Sequence, residues 1–115
     1  MSLTLLLRCA DINQTRDLYE SVLGFNVLAT ADTTITAVKY AGKLIFTGQD
    51  LWNVPPNFSG TIYFNAPDVE SYYSIVKDKV SIAWPLQKMS YGTHEFAIKD
   101  CNGYILAFQQ HLAAD

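Results

Sequence analysis

The chain has 115 residues, 50% hydrophobic and 17% charged, with a formal net charge of -3. One domain with one core is expected, because there is no length for a second core and the composition is too apolar for a disordered chain. The 8 Lys and Arg residues are scattered, and no apolar run reaches the ~20 residues of a membrane span, so neither nucleic acid nor a membrane is an expected partner.

Residues 3–9 form an apolar run of strand length, and Asp11 is placed to cap a helix. Ile12, Leu18, Tyr19, Val22 and Leu23 approximate the stripe of a helix over 12–22, which Gly24 stops. Strands are predicted over 25–30, 35–40 and 44–47, with turns at Asp32-Thr33 and Ala41-Gly42. Residues 49–59 contain Trp52 and the adjacent Pro55 and Pro56, which suit a loop because proline donates no hydrogen bond to a sheet and restricts its neighbours. The same order then recurs: strand 61–66, helix 69–79 opening at Pro67-Asp68, and strands 80–83, 94–99 and 104–109.

The recurrence extends to residues. Thr4 and Asp11 repeat as Thr61 and Asp68 at an offset of 57; Ala37-Val38-Lys39 repeats as Ala97-Ile98-Lys99 at an offset of 60. The segment from Gly42 to Phe46 aligns with Gly103 to Ala107 at an offset of 61. The fold class is α+β, with βαβββ module one over 1–48, a joint over 49–59 and βαβββ module two over 60–115. A unit too small to cover its own sheet must pair with its copy. Cys9 and Cys101 have no redox or zinc spacing and read as a small buried hydrophobe and a turn residue, which fits a reducing compartment. Residues 1–7 lack the basic start of a signal peptide, so a cytoplasmic location is expected.

Two segments carry a resemblance. Cys9-Ala10-Asp11 through Leu18-Tyr19-Glu20-Ser21-Val22-Leu23-Gly24-Phe25, and Tyr91-Gly92-Thr93-His94-Glu95-Phe96 through Asp100-Cys101-Asn102-Gly103 to Phe108, resemble the glyoxalase/bleomycin-resistance/dioxygenase (vicinal oxygen chelate) superfamily, in its bleomycin-resistance-like branch. Cys101 and Tyr104 depart from its usual proline and asparagine. The resemblance implies two curved mixed sheets that together form a ligand-holding cup. In metal-using members four residues on the first and last strands hold a divalent ion; here those places fall on Thr4, Phe46, Thr61 and Ala107. Two hydroxyls, a phenyl and a methyl lack the imidazole, thiolate or carboxylate donors such an ion needs, so no metal and no cofactor are expected. His94 and His111 read as surface histidines, and His94 and its neighbour Glu95 should point to opposite strand faces.

With Thr4 and Thr61 set inward by the resemblance, alternation turns Leu6, Arg8, Tyr63 and Asn65 into the cup, and the last strands add Leu44, Phe46, Ile105, Ala107 and Gln109. Trp52, Trp84 and Tyr91 are expected walls or lids. The expected ligand-binding set is therefore Leu6, Arg8, Phe46, Trp52, Tyr63, Asn65, Trp84, Tyr91, Ala107 and Gln109. An inward arginine is costly unless paired, so Arg8 should meet a carboxylate such as Glu95, the alternatives being that it reaches the mouth of the cup or binds an anionic ligand group. No catalytic triad, phosphate loop or carboxylate pair is legible. The expected function is metal-free binding and sequestration of an aromatic or amphipathic small molecule, of the antibiotic-resistance kind, with a homodimer implied by resemblance. The alternative is a lyase or dioxygenase of the same superfamily with a relocated or absent metal site.

Overall fold

A computed structural model describes residues 3–112. Its elements are β1 (Thr4–Arg8), α1 (Ile12–Asp17) continued by a π-helical turn (Leu18–Val22), β2 (Asn26–Ala31), β3 (Thr34–Lys39), β4 (Gly42–Thr47), β5 (Thr61–Asn65), α2 (Val69–Val76), β6 (Ser81–Lys88), β7 (Thr93–Lys99) and β8 (Ile105–His111). The strands make two four-stranded sheets, ordered β1-β4-β3-β2 and β5-β8-β7-β6. In each, the first strand runs parallel to the last and the other pairs are antiparallel. The duplication read in the sequence is thus a duplication of topology. Among the described residues, no helix is long and apolar enough to cross a membrane.

Both helices start where an aspartate supplies the acceptor that the first amide groups lack. Asp11 accepts from the Asn13 and Gln14 amides at 3.0 and 3.1 Å, and Asp68 from the Ser71 amide at 3.1 Å. The first helix does not stay α-helical to residue 22 as predicted. The Leu23 amide reaches back to the Leu18 carbonyl at 2.9 Å, five residues away, which widens the last turn. Tyr19 in that turn is fully buried, with its hydroxyl donating to Asp100 at 2.6 Å. The second helix ends at Val76, three residues short of expectation. β6 runs on to Lys88 through Trp84 and Pro85, because it is an edge strand whose pairing slips between Ile82 and Trp84 and again before Gln87.

The β3–β4 hairpin turns on Tyr40 and Ala41, one residue earlier than predicted, with φ of 50° and 63°. Both central residues of such a turn need positive φ, a conformation that favours glycine. Tyr40 stays there because its ring packs on Tyr72 at 5.6 Å and Phe108 at 6.4 Å in the other module. Ala41 has no comparable anchor, so Ala41→Gly is expected to raise stability by roughly 0.5–1 kcal/mol, seen as a higher urea midpoint at unchanged slope.

The core lies on the helix-facing sides of the sheets and runs across the module boundary. Phe25 meets Phe64 edge-on at 5.5 Å, and Phe46 meets Tyr104 at 6.4 Å. Gly42 opens β4 where a Cβ would stand 2.4 Å from the Phe64 ring, so only a residue without a side chain allows that approach. Hydrogen bonds reinforce the boundary: Tyr72 hydroxyl to Leu23 carbonyl at 2.5 Å, Ala10 amide to Asn102 side chain at 3.0 Å, and Tyr104 hydroxyl to Arg8 carbonyl.

Candidate functional site

Strand pairing decides which side chains share a face. Leu6 pairs with Ile45 and Leu7 with Phe46. Phe46 therefore faces the helix side with Leu7, fully buried and 4.8 Å from the Tyr19 ring, and not the open face. Leu44, paired with Leu5, lies in the same core. This corrects the expected placement of Phe46 and Leu44: the half-buried Ile45 takes the position on the face of Thr4 and Leu6. In module two Tyr63 pairs with Ala107 and Asn65 with Gln109, which puts these four on one sheet face. The Gln109 amide donates to the Asn65 side chain at 3.0 Å. Ala107 lies on that face but is itself fully buried, so it forms floor and not contact surface.

The expected residues fall into two groups. Leu6, Arg8 and Trp52 line a groove of about 250 Å³ between β1 and the joint, closed by Val54, Phe58 and Tyr104. Its joint side is built on Asp50. One carboxylate oxygen accepts from the amides of Trp52, Asn53 and Val54 at 3.3, 2.6 and 3.3 Å, and the other lies 3.5 Å from the Arg8 guanidinium. The guanidinium also donates to the Val54 carbonyl. Arg8 is thus paired with Asp50 and not with Glu95 as expected, because the joint folds back over β1. Its Nε is buried without a partner among the described residues. Sequence reasoning passed over Asp50, although an aspartate two to four residues ahead of a loop's amides is a recognisable turn signal.

The second group surrounds Glu95 on the open face of the other sheet. Glu95 is fully buried, paired across the ladder with Gln109. It accepts from the Tyr91 hydroxyl at 2.7 Å, the Thr93 hydroxyl at 2.8 Å and the Trp84 indole N–H at 3.1 Å. Donation to Glu95, with the Tyr63 hydroxyl beside it, pushes the Tyr91 phenol above its ordinary value. Trp84 and Tyr91 are therefore ligands of a carboxylate within the chain. A further groove of about 250 Å³ runs between the β3–β4 turn and β5, bordered by Tyr63 and Asn65.

The residues do not fit the metal that other members of such a fold use. Among the described residues, no three His, Cys, Asp or Glu side chains come together, and Thr4, Ile45, Thr61 and Ala107 offer only two hydroxyls.

Paired βαβββ modules, each with one helix-covered and one open sheet face, define a protein of the glyoxalase-like class. The model of the Glyoxalase/Bleomycin resistance protein/Dioxygenase superfamily matches residues 3–108, and the chain belongs to that superfamily. Among solved structures, TioX from Micromonospora sp. ML1 is similar at a TM-score of 0.79 and 18% identity, covering 97% of this chain and 99% of the other. A glyoxalase/bleomycin resistance protein/dioxygenase from Alicyclobacillus acidocaldarius gives 0.77 and 17%, covering 98% and 92%. A virulence protein from Salmonella typhimurium gives 0.74 and 20%, covering 97% and 96%. At these identities the likeness is one of fold. No curated protein matches the sequence.

Proposed function

We propose that this protein binds an aromatic or amphipathic small molecule without a metal ion, in the groove beneath the joint, and acts as a homodimer. The groove carries this reading: Leu6, Trp52, Val54 and Phe58 offer an apolar body site, and the unpartnered Arg8 Nε offers a donor to a polar end. Small-molecule sites have this mixture of apolar wall and few polar anchors. A buried N–H without an acceptor costs ~1–3 kcal/mol, which a ligand acceptor would recover. The donor-poor sheet faces favour binding over metal-dependent lyase or dioxygenase chemistry. The dimer is supported by the open face of the first sheet, where Leu28 and Val38 are 61% and 38% exposed.

Titration with a panel of small aromatic amphiphiles is expected to change tryptophan emission saturably in the native chain but not in Trp52→Phe. Arg8→Ala should weaken the same binding about tenfold. A broad panel that leaves Trp52 emission unchanged defeats the reading. Sedimentation should give twice the mass of one chain.

A further inference from the structure

Glu95 is hydrogen-bonded but not charge-balanced. Its three donors, Tyr91, Thr93 and Trp84, are all neutral. The ion pairs among the described residues are Arg8 with Asp50 and Arg16 with Glu20, and neither involves it. The basic residues at that end of the sheet, Lys88 and His111, are exposed, and His94 pairs with Lys88 across β6 and β7. A carboxylate taken out of water usually meets a cation, because neutral donors stabilise its charge without cancelling it.

What stands in front of this carboxylate is aromatic. Tyr91 is 60% and Tyr63 45% exposed, and Trp84 is half-buried beside them. Tyr91 directs its proton inward to Glu95, so the oxygen lone pairs and ring face are what it presents outward. Tyr63 comes from β5 and shares its sheet face with Glu95 through the Ala107 and Gln109 positions of β8. A ring face attracts a cation through its quadrupole, and a negative charge behind the ring adds to that attraction where water is excluded.

We propose that the Tyr63, Tyr91 and Trp84 cluster over buried Glu95 is a subsite for an organic cation, a protonated amine or quaternary ammonium. The cation sits on the aromatic rings and feels the carboxylate through Tyr91, with no direct ion pair. An anion would be repelled, and a neutral guest would leave the charge uncompensated. This subsite is separate from the groove beneath the joint, so either can be occupied without the other.

The test uses choline and its neutral isostere 3,3-dimethylbutan-1-ol on the full chain labelled with nitrogen-15. The Trp84 indole N–H resonance, identified by its loss in Trp84→Phe, is followed during titration. Choline should shift it saturably, and the isostere should bind at least about tenfold more weakly. Tyr63→Leu, at an exposed position, and Glu95→Gln should each weaken choline about fivefold or more. Should Glu95→Gln fail to fold, Tyr63→Leu decides. Equal binding of choline and the isostere, undiminished choline binding by Tyr63→Leu, or no saturable shift overturns the subsite. Saturable Trp52 quenching by uncharged aromatics would survive each of these results, which separates this failure from that of the groove.

Discussion

Phe108→Ala should lower the free energy of unfolding by ~3–5 kcal/mol. Phe108 is fully buried, with rings of Tyr72, Phe64 and Phe96 at 4.9, 5.3 and 5.4 Å and Tyr40 at 6.4 Å. Those partners come from both modules, from β3–β4, β5, α2 and β7, so the cavity cannot close by the shift of one element. A loss of this size is a large part of the ~5–15 kcal/mol that holds a domain folded. Urea unfolding followed by circular dichroism measures it. A loss below about 1 kcal/mol would mean that the modules repack around the gap.

Asp100→Ala should be nearly as damaging, at about 3–4 kcal/mol, for a different reason. One carboxylate serves the Tyr19 hydroxyl at 2.6 Å and the amides of Asn102 and Tyr104 at 2.9 and 2.8 Å. Alanine would strand a fully buried phenol and open the β7–β8 turn. Burial pushes the Asp100 carboxyl above its ordinary 3.8, against the downward pull of these hydrogen bonds. A carboxyl whose folded value is raised binds its proton more tightly in the folded state. Its contribution is therefore complete below the unfolded value and is lost as pH rises through the folded one. Asp100→Asn, which cannot titrate, should flatten the stability curve in that acidic window, measured by thermal melts across it. An unchanged slope would show that Asp100 does not titrate differently on folding.

The architecture was legible because each module announces itself with the same local chemistry. Asp11 and Asp68 cap equivalent helices, and Thr4 and Thr61 open equivalent edge strands, so topology could be read from repeated start signals. The faces were legible only where polar and apolar residues alternate. In β5 the exposed Tyr63 and Asn65 flank the buried Phe64, and the pattern points one way. In β4 the run Leu44-Ile45-Phe46 is apolar throughout, and a reading displaced by one residue reverses every side chain. Only the register with β1 resolves it. Trp84-Pro85 read as a break because proline ends most strands, yet the bulges of edge strand β6 tolerate it. Arg8's partner was hidden because the choice between Glu95 and Asp50 depends on where the joint lies in space, not on any spacing in the chain.

The joint is tied to β1 through charged side chains. Asp50 gathers three amides of the loop, yet the tie from that loop to β1 is the Arg8 guanidinium on Asp50 and the Val54 carbonyl, with both charged side chains partly exposed. Pairs of this kind weaken as ionic strength rises, whereas the aromatic core is indifferent to it. Rising ionic strength should therefore loosen the joint from β1 before it disturbs the fold.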